Sequence, residues 1–94
     1  MDQSKKHIRI SGRVQGVGFR HFTRQTAQQL NLNGWVKNLP DGSVEAVLAG
    51  DLESMQQMLE ELKKGPRMAR VDDLSVDEES EALKESFDVF SVRY

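Results

Sequence analysis

The spacing of apolar residues changes along this chain in a set order, and that order constrains the fold more than any other feature. In residues 7–10 polar and apolar side chains alternate, which places Ile8 and Ile10 on one face of a short strand. In residues 20–31 the apolar positions Phe22, Ala27 and Leu30 recur at roughly helical spacing on an otherwise polar surface. Residues 34–38 return to a strand. Leu39-Pro40-Asp41-Gly42 then makes a turn: proline fixes φ, aspartate starts a local hydrogen bond and glycine accepts positive φ. Residues 43–50 form a third strand with Val44, Ala46 and Leu48 on one face, so the turn closes a hairpin. A second helix is expected next, with Asp51 as N-cap, Glu53 at the positive dipole end, and Leu52, Met55, Met58, Leu59 and Leu62 as its apolar stripe. Lys63-Lys64 and then Gly65-Pro66 end it.

Further along, Ala69 and Val71 share one phase while Leu74 and Val76 share the other, which predicts a bulge or break within a fourth strand. Residues 77–84 read as an acidic, solvated loop, and Phe90, Val92 and Tyr94 alternate as a final strand. The expected order is therefore βαββαβ plus a short extra C-terminal strand. Two βαβ halves fit an α+β, ferredoxin-like sandwich, with one antiparallel sheet and both helices on one face. The 94 residues suit a single domain over 1–94, with residues 1–6 expected as a loose N-terminal tail.

Composition narrows the chemistry. The formal net charge is −2 with acids and bases spread along the chain, which disfavours a general nucleic-acid binder. There is no cysteine, so disulfides, thiolate catalysis and Cys-ligated metals are excluded. His7 and His21 are isolated and read as solvated residues rather than metal ligands. The N-terminus has no apolar signal core and no stretch reaches the ~20 apolar residues of a membrane span, so a cytoplasmic protein without membrane partners is expected.

The loop Gln15-Gly16-Val17-Gly18-Phe19-Arg20 joins the first strand to the first helix. Two glycines in three positions let successive N–H groups turn toward a common centre, and the helix N-terminus adds unsatisfied donors. Arg20 supplies a permanent cation with a planar fork of donors. From spacing alone, an anion cradle and a merely steric strand-to-helix turn weigh equally. The loop matches neither the P-loop nor the dinucleotide fingerprint.

The motif Ile10-x-Gly12-x-Val14-Gln15-Gly16-Val17-x-Phe19-Arg20 resembles the first signature of the acylphosphatase family. Gly34-Trp35-Val36-Lys37-Asn38-x-x-x-Gly42-x-Val44, with Gly50 beyond, is similar to the second. Gly65-Pro66-x-x-Ala69-x-Val71 and the ending Phe90-Ser91-Val92-Arg93-Tyr94 extend the likeness from about residue 7 to the end. The resemblance implies a hydrolase that splits acyl phosphates into carboxylate and inorganic phosphate, without metal or cofactor. It implies that the N–H groups of residues 15–20 and the Arg20 side chain hold the phosphate, that Asn38 orients water, and that phosphate inhibits competitively. It also suggests that Arg93 and the terminal carboxylate buttress the loop, and that the protein is a monomer. Trp35 and Phe22 read as packing residues, and Ser43 as a possible support for Asn38. Two rivals remain: an RNA-binding module, disfavoured because the central strands carry no aromatic residue, and a silent acylphosphatase-like domain of the kind fused to larger maturation factors, disfavoured because this chain stands alone with both Arg20 and Asn38.

Overall fold

The computed structural model describes residues 2–94. The elements run β1 (Gln3–Arg13), α1 (Phe19–Gln29), β2 (Asn33–Asn38), β3 (Val44–Asp51), α2 (Leu52–Lys64), β4 (Arg70–Asp77), a short 3-10 helix (Glu81–Lys84) and β5 (Phe90–Arg93). The sheet order is β4-β1-β3-β2-β5, which is the ferredoxin-like arrangement with one strand added beside β2. Alternation sends Ile8, Ile10, Val36, Val44, Ala46 and Leu48 to the helix-bearing face, where they bury with Met55, Met58 and Leu62 of α2 and Ala27 of α1.

The four strands of the βαββαβ core are antiparallel as expected, and the added strand, whose placement the sequence leaves open, pairs parallel to β2, with Gly34 opposite Phe90 and Val36 opposite Val92. The connection explains this. β4 finishes at the end of the sheet where β2 starts, so residues 78–89 need only cross beneath the sheet for β5 to rise alongside β2. The Lys5 amine holds that crossing, donating to the carbonyls of Leu83 (3.1 Å) and Glu85 (2.8 Å).

The loose tail expected over residues 1–6 is corrected: β1 begins at Gln3, and Gln3 to Lys6 pair with Asp51 to Leu48. Met1 lies outside the described residues. These positions are polar, so hydrophobic alternation is blind to them; backbone pairing to β3 and the Lys5 contacts hold them instead. Asp51 does occupy the N-cap of α2, but its side chain makes no capping hydrogen bond. The Leu52 N–H donates instead to the backbone carbonyl of Asp2 (3.0 Å).

The phase switch in β4 is a bulge. Ser11 pairs with Asp73 and Gly12 with Val71, which leaves Asp72 as the extra residue. Both Val71 and Leu74 thereby pack against the core despite their odd spacing. The Asp72 carboxylate accepts from the Arg70 guanidinium (2.9 Å), which holds it below the usual carboxylate range. Trp35 also follows the expectation of packing, but on the helix-free face, beneath the cations of Arg93 (4.7 Å to the ring centroid) and Lys37 (5.5 Å).

Candidate active site

β1 ends at Arg13 and α1 starts at Phe19, so five residues make the turn between them. The turn is anchored at both ends, by buried Val14 and by Phe19, whose ring is 2% exposed and meets Phe22 edge-on at 6.0 Å. Between the anchors Gly16 (φ 73°) and Gly18 (φ 80°) are both left-handed, and a Cβ on either would meet nothing within 4 Å. Glycine is required here by backbone conformation, not by space; a side chain would cost about 1–2 kcal/mol at each. Two left-handed residues in three give the loop the concave run of amides that favours anions. Among the described residues, the backbone N–H groups of residues 15–20 have no backbone or side-chain acceptor within hydrogen-bond distance. The first helical bond outside them runs from Phe22 N–H to the Gly18 carbonyl (3.0 Å).

Asn38 is the last residue of β2, opposite Val44. Alternation puts it on the same face as buried Val36, toward α1. Its Oδ1 is buried and has no hydrogen-bond partner, a state that needs an explanation in a folded protein. The hairpin that carries it is fastened to the loop by Gln15, whose side-chain amide donates to the carbonyls of Leu39 (2.8 Å) and Ser43 (2.8 Å). Arg20, in the first turn of α1, sets its guanidinium over the ring of Tyr94 at 4.9 Å. No carboxylate among the described residues lies within salt-bridge distance of it.

Gly16, Gly18, Phe19, Arg20 and Asn38 line one cleft of about 270 Å³. Gln15 and Val17 do not line it with their side chains: Gln15 is turned to the hairpin and Val17 packs against the core. Sequence reasoning missed Tyr94 as a wall of this cleft, although its phase with Phe90 and Val92 on β5 was the available signal. It also missed Arg24 and the place of His21 at the rim, both of which line the cleft from α1. Ser43 makes no hydrogen bond to Asn38; its hydroxyl donates to Asp41 (2.5 Å) and accepts from Arg9 (3.3 Å), stiffening the turn. Arg93 does not buttress the loop, because it faces Trp35 and pairs with Glu85 (2.7 Å) on the helix-free side.

The cleft thus offers a run of unpaired amides, two guanidinium groups and an unpartnered carboxamide, with no Asp or Glu side chain among its lining residues. Such a set can hold a compact oxyanion and align a neutral molecule beside it. Among the described residues no group of three or more His, Asp or Glu is placed to hold a metal ion, and no helix is long and apolar enough to cross a membrane.

The family model described as Acylphosphatase matches residues 6–91. A protein named acylphosphatase from Syntrophobacter fumaroxidans is 49% identical over 79 residues, covering 84% of this chain and 81% of its own length. The crystal structure of acylphosphatase from Bacillus subtilis superposes with a TM-score of 0.88 at 42% identity, covering 96% of this chain and 98% of that one. A domain-sized portion of HypF from T. kodakarensis has a TM-score of 0.83 at 34% identity; the match covers 99% of this chain and 12% of HypF.

Proposed function

Because the chain belongs to the acylphosphatase family, we propose that the cleft at the β1–α1 loop is where it cleaves the carboxyl–phosphate anhydride of acyl phosphates. The loop amides and Arg20 hold the phosphoryl oxygens, and Asn38 aligns the attacking water. The observation that carries this reading is the pairing of two unsatisfied features on one cleft: the N–H run of residues 15–20 and the buried, partnerless Oδ1 of Asn38.

The chemistry asks little more of the site. The water oxygen bonds to phosphorus as the bond from phosphorus to the acyl oxygen breaks, and the electron pair leaves with the carboxylate. The conjugate acid of that leaving group has a pKa near ~4, so it departs as an anion with no general acid. Phosphoryl transfer passes through a loose transition state in which the water forms little bond. Its proton goes to a phosphate oxygen, giving carboxylate and dihydrogen phosphate. Asn38 cannot take a proton, but its amide can donate to one oxygen and accept from another, which suits alignment in line with the leaving group. Preorganised amides and a guanidinium stabilise the charge gathered on the phosphoryl oxygens. The set suits a labile anhydride and is too weak for a phosphate ester. In this reading the chain is one domain over residues 1–94, acting in the cytoplasm as a monomer on a small molecule, with inorganic phosphate as product and competitive inhibitor.

The test is spectrophotometric hydrolysis of benzoyl phosphate, with chelator present. Arg20→Ala and Asn38→Ala should each lose at least ~10²-fold in kcat/KM while remaining folded. Wild-type rates in either folded variant would remove that residue from the mechanism.

A further inference from the structure

We propose that Arg24 makes this cleft selective for acyl phosphates whose acyl group carries a second negative charge. The inference rests on the reading of the cleft given above and adds the class of acyl group.

Arg20 and Arg24 stand one helical turn apart on α1, about 6 Å along its axis, and both line the cleft. Arg24 is exposed, so burial does not explain it. Of the five arginines elsewhere, Arg9, Arg70 and Arg93 pair with Asp41, Asp72 and Glu85, while Arg13 and Arg67 have no carboxylate partner among the described residues. Among the described residues, Arg20, His21 and Arg24 have no such partner, and α1 contains no acidic residue at all. This arrangement runs against the helix's own preferences. Like charges at i and i+4 repel, and the first turn of a helix favours acids over cations. α1 therefore carries a cationic face that costs it stability, in a protein whose net charge is −2 and whose overall field does not attract anions.

Arg20 is committed to the phosphate at the loop. The acyl group shares the cleft with Arg24, and Tyr94 and Val92, which also line it, offer ring and methyl surface. A carboxylate or phosphate a few bonds beyond the acyl carbonyl would then fall within reach of the second guanidinium. A neutral acyl group leaves that guanidinium unanswered.

The test compares para-carboxybenzoyl phosphate with its neutral isostere, para-carbamoylbenzoyl phosphate. The readout is the ratio of the two kcat/KM values within each variant, which cancels any general change in activity. Wild type should favour the anionic probe by roughly 1.5- to fivefold, the scale of one exposed charge pair. Arg24→Gln should bring the ratio to that of a neutral rim, Arg24→Lys should keep part of it, and Arg24→Glu should invert it. A wild-type ratio at or below one, or a preference that survives in Arg24→Gln, overturns the proposal. The corresponding benzylphosphonates, measured by calorimetry, read the same preference without turnover. Loss of turnover with the binding preference intact would sink the reaction and keep the selectivity. Turnover of both probes at equal rates would do the reverse.

Discussion

Replacing Gln15 by methionine removes the strap between the loop and the hairpin while keeping the backbone amide and most of the side-chain volume. The cost follows from what the two acceptors already have. The Leu39 carbonyl also accepts from Gly42 N–H (3.1 Å), and the Ser43 carbonyl from Leu39 N–H (2.8 Å). Neither is orphaned when the Gln15 amide is gone, so each lost bond sits at the low end of the usual range and the pair totals about 1 kcal/mol. In a domain of this size that lowers Tm by about 4–8 °C. The activity should fall further than stability suggests. The strap sets the distance between the amides of the loop and Asn38, and a displacement near 1 Å can cost up to about 10²-fold. We expect kcat to drop about tenfold with KM little changed, since the loop amides and Arg20 are intact. Gln15→Glu sharpens the argument by setting a carboxylate against two carbonyl oxygens. The folded state then disfavours the charged form, so the introduced group has a raised pKa and destabilises at neutral pH. Its penalty fades as pH falls through that raised pKa and the carboxyl protonates and donates to one carbonyl. Urea unfolding of both variants at neutral and acid pH, beside benzoyl phosphate kinetics, measures all of this. Wild-type Tm and kcat in Gln15→Met would refute the reasoning.

Other outcomes follow from the same geometry. Asn38→Leu should abolish catalysis yet leave Tm unchanged or raised, because it removes a buried acceptor with no partner; a large fall in Tm would mean that Oδ1 is satisfied within the fold. Gly18→Ala should destabilise by about 1–2 kcal/mol through its left-handed φ alone, seen as a shifted urea midpoint with an unchanged m-value. Lys5→Met should loosen the crossing of residues 78–89, read as faster amide exchange there. Activity should survive dialysis against a chelator, and loss restored by a divalent ion would contradict the site as drawn.

Much of the fold is legible because its signals are local. The stripe of Met55, Met58 and Leu62 and the stop at Gly65-Pro66 mark α2 as it stands. The phase jump between Val71 and Leu74 marks the bulge, since only an inserted residue lets both face the core. Gly16 and Gly18 mark the turn because glycine is the residue type that adopts its left-handed conformation without strain. What stays hidden depends on distant partners. The polar residues Gln3 to Lys6 are strand only because β3 is beside them, and the parallel placement of β5 depends on where β4 ends. Gln15 looks like one more loop residue until the hairpin is folded against it. Arg24 looks like an ordinary solvated arginine until the fold sets it on the same cleft as Arg20.

The wall that Tyr94 gives the cleft hangs from the weakest member of the sheet. Tyr94 is 99% exposed and follows directly on β5, four residues long, at the edge, and bonded to β2 alone. Such a strand detaches at a free energy well below that of global unfolding. Its detachment would carry the ring away from Arg20 while the four remaining strands and both helices stay folded. Heating should therefore move the Tyr94 ring away from Arg20 several degrees before the far-ultraviolet signal changes, read as an early change in the near-ultraviolet tyrosine signal. Stitching β5 to β2 should raise the temperature at which that ring departs.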